Sequence, residues 1–116
     1  MEKATLILQD PPYGTEKLFN ALRYASALLA ESIQVKVFLL GDAVAAAKKD
    51  QKTPQGFYNL ASMLKGLAAK GVEVLTCGSC SEAWGLKEEE LVAGVRIGRM
   101  VELARWSKES DAVLVF

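Results

Sequence analysis

The stretch ATLILQDPPYGTEKLFNALRYASALLAESIQVKVFLLG, Ala4 to Gly41, decides the fold. Its first six residues, ATLILQ, form a short apolar run stopped by Asp10, Pro11 and Pro12. Such a run reads as a buried strand ended by a turn. Thr15 can then cap a helix reaching about Glu31. Leu18, Leu22, Ala25 and Leu29 recur at helical spacing and Phe19 widens the stripe, so one face of that helix packs on a sheet. VKVFLLG, Val35 to Gly41, is a second buried strand.

Working outward, the alternation continues. Asp42 stands as cap for a short helix, AVAAAKK. KKDQKTPQG, Lys48 to Gly56, is polar, carries Pro54 and Gly56 and has no periodicity, so it reads as an exposed and mobile loop. Leu60, Met63, Leu64, Leu67 and Ala68 follow the helical template, and Gly71 ends that helix. VEVLT, Val72 to Thr76, is a third strand. KEEELVAGVRIG, Lys87 to Gly98, is ambiguous between helix and strand, because two glycines interrupt it and VRI is β-like. A helix spans Arg99 to about Lys108 around Val101, Ala104 and Arg105, and AVLVF, Ala112 to Phe116, is the last strand. Strands alternating with helices imply right-handed crossovers and an α/β fold whose mostly parallel sheet is covered on both faces.

Bulk properties narrow the function. The 116 residues suffice for one domain with a real core. Fourteen Lys plus Arg balance fourteen Asp plus Glu, so there is no basic excess to neutralise a phosphate backbone, and nucleic acid is not an expected partner. The apolar share is 51%, and with the glycines counted in it exceeds the roughly 45–50% of an ordinary soluble domain. That surplus points to buried contacts between subunits. No apolar run is long enough to span a bilayer or to serve as a signal peptide, so a cytoplasmic location is expected.

In open α/β sheets ligands sit beyond the carboxyl ends of strands, where the strand order reverses. Two unusual loops follow strands here, DPPYGT after the first and CGSCSEAWG after the third. A flavodoxin-like order would make those strands neighbours and bring Tyr13 and Gly14 to the same crevice as Cys77 and Cys80, the only cysteines. A two-residue gap closes too small a loop to staple a fold. Zinc would need about four ligands, and the chain has no His and no further Cys, so only ligands shared between subunits would complete a site. A thioredoxin-like dithiol wants its first cysteine at a helix N-terminus; here the motif follows a strand with no long helix directly after it. A persulfide carrier needs one exposed nucleophilic cysteine, a nearby donor group or helix terminus that favours the anion, and a docking surface for its partner; a second cysteine can resolve the persulfide without being required. Simple packing of small side chains is the remaining alternative.

The segments PPYGTEKLFNALRYA, FLLGDAV, CGSCSEAWG, GVRIG and VELARWSKESDAVLVF resemble, in order and spacing over essentially the whole chain, the DsrE/DsrF-like family and within it the YchN branch. The resemblance implies a single domain, residues 1–116, built as a three-layer α/β/α sandwich on a mostly parallel, flavodoxin-like five-stranded sheet. It also implies homo-oligomers, trimers or hexamers, in some branches with homologous partner subunits. Members of the DsrE and TusD branches traffic sulfur between donor and acceptor proteins, without a cofactor or metal, through a cysteine just after the third strand and eight residues before a glycine. In this chain that cysteine is Cys77 and the glycine Gly85, while Cys80 matches the second cysteine of the YchN branch. Relatives often carry arginine before the glycine, where this chain has Trp84; the loss of that cation would either raise the thiol pKa or pass its task to Lys17, Lys52 or a neighbouring subunit. The implied sites are thus Cys77 and Cys80 as chemical groups, with Tyr13, Gly14, Lys17, Asn20, Lys52, Trp84 and Gly85 around them. Lys48 and Lys49 can add positive potential near a sulfur anion. Trp84 and Trp106 can serve as interface anchors, against core packing as the default.

Overall fold

In the computed structural model, which describes residues 1–116, five strands alternate with helices. In chain order they are β1 (Lys3–Leu8), α1 (Lys17–Ala30), β2 (Gln34–Leu39), a 3-10 helix (Gly41–Ala47), α2 (Leu60–Ala69), β3 (Glu73–Cys77), α3 (Gly78–Ala83), a 3-10 turn (Glu88–Glu90), β4 (Val95–Gly98), α4 (Met100–Glu109) and β5 (Ala112–Val115). All four strand pairings are parallel, as the alternation predicts. The order, however, is β4-β3-β2-β1-β5. The flavodoxin-like arrangement is therefore corrected: β2 separates β1 from β3, because each of the first three crossovers steps one strand further in the same direction, and only β5 returns to the far side of β1.

Alternation within the strands assigns the two faces. Thr5 meets Ser110, at the end of α4, through their hydroxyls, Lys36 reaches Glu109, and the Phe38 ring stands edge-on to Trp106 at 5.9 Å. Those strand residues therefore point to α4. Ala4, Leu6 and Leu8 of β1 and Val35, Val37 and Leu39 of β2 point the other way, toward α1 and α2, and all are at most 2% exposed. From α1 the core receives Leu18, Ala21, Leu22, Ala25 and Leu28, and from α2 Leu60, Ala61, Leu64 and Leu67. Each fully buried leucine contributes on the order of 1.5–3 kcal/mol, so this side of the sheet holds the larger share of the stability. Trp106, at 5% exposure, is a core residue rather than an interface anchor.

Several element ends differ from the sequence reading for local reasons. Thr15 does accept the N–H of Lys17, at 3.2 Å, and the regular helix begins just after it. Asp42 makes no capping bond. Its helix is 3-10 because Ala43, Val44, Ala46 and Ala47 must all turn inward, and the tighter winding allows it. Residues 48–59 are largely exposed yet pinned. The Gln51 amide donates to the carbonyls of Ala45, Ala46 and Lys48 at 3.3, 2.9 and 2.8 Å, Asn59 donates to the Gln51 carbonyl at 3.0 Å, and Lys49 donates to the carbonyl of Glu90 at 2.9 Å. The ambiguous Lys87–Gly98 segment resolves into the 3-10 turn and the edge strand β4. No helix is long and apolar enough to cross a membrane.

Candidate functional site

A parallel sheet gathers all its strand exits at one edge, and there the exits of β2 and β3 lie side by side. Cys77 is the last residue of β3 and Gly78 the first of α3, so the chain turns from strand to helix at the thiol itself. Such a sharp reversal needs room. A Cβ on Gly78 would stand 3.1 Å from the Gly98 carbonyl oxygen at the end of β4, closer than ordinary van der Waals contact. α3 ends after six residues with the Leu86 N–H on the Ser81 carbonyl at 2.8 Å and the Gly85 N–H on the Glu82 carbonyl at 2.9 Å. These paired bonds require a left-handed residue between helix and exit, which Gly85 supplies at φ 71°. The helix was not legible because six residues are too few to display a 3.6-residue period.

Cys77 and Cys80 are both free thiols. The expectation of an exposed Cys77 is corrected: as the last residue of a central strand it is 4% exposed, whereas Cys80 is half-buried and Ser79, between them, is exposed. The Ser79 hydroxyl lies 3.4 Å from the Cys77 sulfur, and the Gly41 N–H at the exit of β2 donates to the Cys80 sulfur at 3.2 Å. Below them the Ser81 hydroxyl donates to the Cys77 carbonyl at 2.7 Å and fixes the turn. Burial acts to raise the Cys77 thiol, but hydrogen bonds from the Cys80 thiol, the Ser79 hydroxyl and the N–H groups of Cys80 and Ser79 outweigh it and bring Cys77 below its ordinary value. Cys80 moves the other way. Burial and its role as donor to Cys77 raise it, against the opposing Gly41 N–H. Of the two thiols Cys77 is therefore the one that ionises first, while Cys80 keeps its proton to higher pH. No group of three or more His, Cys, Asp or Glu side chains converges anywhere in the chain.

The other candidates scatter. The Tyr13 hydroxyl donates to the Gln51 side chain and accepts from the Leu60 N–H at 3.0 Å, and its ring stacks on Tyr58 at 5.7 Å, so Tyr13 braces the 48–59 segment instead of joining the thiols. Gly14 is exposed in the turn beside it. Lys17 pairs loosely with Asp10 at 3.9 Å, Asn20 accepts from Arg23 at 3.1 Å on the outer face of α1, and Lys52 is exposed in the pinned segment. Of the predicted set, the structure brings together Cys77 and Cys80, with Trp84, 52% exposed at the end of α3, and Gly85 close by in sequence. Sequence reasoning missed Gly41 and Ser79. Ser79 lies inside the quoted motif, whereas Gly41 acts through its backbone and from a neighbouring strand that only the true order reveals.

A cavity of about 450 Å³ opens beside the motif, lined by Gly78, Glu82, Gly85, Leu86, Lys87 and Ile97. Against that geometry, residues 2–116 match the model of the DsrE/DsrF-like family. The chain belongs to that family. It is 41% identical over 118 residues to protein YchN of Escherichia coli K12, with both chains covered completely, and the crystal structure of the E. coli ychN protein superposes over the full length of both chains at a TM-score of 0.93. An uncharacterized protein of Methanocaldococcus jannaschii, MJ0989, is 42% identical over 114 residues, covering 98% of this chain and 99% of its own. More distantly, a sulfurtransferase TusD of Buchnera aphidicola is 26% identical over 125 residues, covering 97% of this chain and 98% of its own.

Proposed function

We propose that this DsrE/DsrF-like protein is a sulfur carrier that accepts a sulfane sulfur on Cys77 as a persulfide and passes it to an acceptor protein. The observation that carries the reading is the Cys77 thiol at the carboxyl end of β3, held as the better anion by Cys80, Ser79 and two N–H groups. A thiolate is the form that attacks a donor persulfide. The TusD relative, a sulfurtransferase by name, adds support for the chemistry but at a distance. Free thiols suit a reducing, cytoplasmic compartment. With Trp84 where relatives often carry arginine, hydrogen bonds are what lower Cys77 within this chain. Homo-oligomers fit the same reading: Met100, Val101, Val113 and Val115 leave an apolar surface on the α4 side, 39–60% exposed.

The test incubates the purified protein with a cysteine desulfurase and cysteine, then weighs it intact. A gain of one sulfur atom that is lost in Cys77→Ser is the expected result. No gain in wild type and in Cys80→Ser alike, or an equal gain in Cys77→Ser, would overturn the proposal. A dithiol–disulfide enzyme is the second reading, favoured by the placement of Cys77 and Cys80 three positions apart at the start of α3. It would require activity to vanish on replacing either cysteine, with no stage at which sulfur is carried.

A further inference from the structure

The pair offers a second fate for the bound sulfur. Cys77 precedes the first residue of α3 and Cys80 is the third residue of that helix, so their side chains rise along one helix face, three positions apart. That spacing is compatible with the Cα separation a disulfide needs. Cys80 is not free to swing away, because the Gly41 N–H is bound to its sulfur at 3.2 Å. The i, i+3 spacing at the start of α3 directs Cys80 toward the Cys77 sulfur. In a persulfide on Cys77 this is the inner sulfur, while the added sulfur extends beyond it.

Resting on the carrier reading, we infer that the site discharges itself: Cys80 attacks the inner sulfur of the Cys77 persulfide, forming a Cys77–Cys80 disulfide and expelling the outer sulfur as sulfide. The S–S bond of the persulfide breaks as the new S–S bond forms. The bond's electron pair leaves with the outer sulfur, and the protons of the Cys80 thiol and of the persulfide leave with it as hydrogen sulfide. The sulfane sulfur is reduced and the two cysteine thiols supply the two electrons. The Gly41 N–H favours the Cys80 thiolate as it attacks, in the manner of a fixed donor aimed at developing charge. The product is inert toward further sulfur until a dithiol reductant reopens it. The protein therefore belongs upstream of a reaction that consumes sulfide, or stands as a safety valve when no acceptor arrives, and must be served by a dithiol-exchanging reductase. Attack on the outer sulfur would merely move the persulfide to Cys80. The i, i+3 spacing matches the separation a Cys77–Cys80 disulfide needs, which favours attack on the inner sulfur.

Purified wild type, Cys80→Ser and Cys80→Ala are loaded with inorganic polysulfide, freed of excess by gel filtration, and followed by intact mass and a sulfide assay, with release read per loaded molecule. Wild type is expected to lose the added sulfur together with two hydrogens, releasing one sulfide per disulfide formed, and a dithiol is expected to restore the starting mass. Both Cys80 variants should release sulfide at least about tenfold more slowly, because no internal thiol competes with water or buffer. Loading without disulfide formation, or with equal release from all three proteins, overturns the discharge and leaves the carrier reading standing. Sulfur retained but relocated to Cys80 overturns it as well. Failure to load at all removes the carrier reading, and the discharge with it.

Discussion

Cys77 ionises ahead of Cys80, and every neighbour that donates to either sulfur biases that order. Donors to the Cys77 anion lower its pKa, so removing one must raise it. Ser79→Ala and Cys80→Ala are each expected to move the midpoint of Cys77 alkylation by iodoacetamide to higher pH, followed by peptide mass over a pH series. A midpoint unmoved in both variants would show that the hydrogen bonds do not set the reactivity. Gly78→Ala probes the same turn sterically: its methyl group would press on the Gly98 carbonyl at 3.1 Å, and the adjustment displaces the residue that links Cys77 to α3. At this scale the site was half legible. The C-x-x-C spacing after a β-branched run is visible in the sequence, whereas a backbone N–H such as that of Gly41 has no signature there, since any residue but proline carries one.

The ends of elements depend on few atoms, and here three helices close in the same way. α1, α2 and α3 each end with paired N–H bonds back to the last turn around a left-handed residue: Ser32 at φ 63°, Gly71 at φ 93° and Gly85 at φ 71°. Ser32 alone carries a Cβ in that conformation, and its side chain is exposed. Ser32→Gly is therefore expected to stabilise the protein by roughly 0.5–1 kcal/mol, part of the left-handed strain being offset by the greater freedom of glycine in the unfolded chain. The urea midpoint would rise with no change in slope; a fall would mean that the serine hydroxyl contributes more than the strain. Tyr13→Phe acts in the opposite direction. It leaves the Gln51 side-chain oxygen and the Leu60 N–H without their partner in a half-buried place, for a loss of about 1–2 kcal/mol. Unchanged stability would show that water replaces the hydroxyl. These contrasts explain which elements the sequence reveals. α1 and α2 are long enough to show a period, and Gly71 announces its own turn. The 41–47 helix, α3 and the bracing of residues 48–59 by Gln51 arise from tertiary contacts that no local pattern encodes.

For the whole molecule, alternation dictates parallel strands and covered faces but not the order in which the strands lie, because a right-handed crossover can add its strand on either side of those already placed. What decides the order at one end is a link between the two ends of the chain. Asp111, just before β5, accepts the N–H of Glu2 at 2.7 Å and of Lys3 at 2.9 Å, and its own N–H donates to the Lys3 carbonyl at 2.8 Å. β5 is thereby set beside β1, with Val113 opposite Thr5 and Val115 opposite Ile7. Those two N–H groups hold the Asp111 carboxyl below its ordinary value against the opposing effect of desolvation, with lesser help from the terminal amine and Lys3. The sign follows from linkage: a carboxylate whose pKa is lower in the folded than in the unfolded chain binds fewer protons when folded. Its stabilisation is complete above the unfolded value of about 3.9 and is lost as pH falls through the folded value. Asp111→Asn is accordingly expected to be less stable than wild type at neutral pH, with the gap between their urea midpoints narrowing as the pH is taken below about 4. A gap that stayed constant across that range would assign the effect of Asp111 to the shape of its side chain and not to its charge, and the order at this edge of the sheet would then rest on the β1–β5 ladder alone.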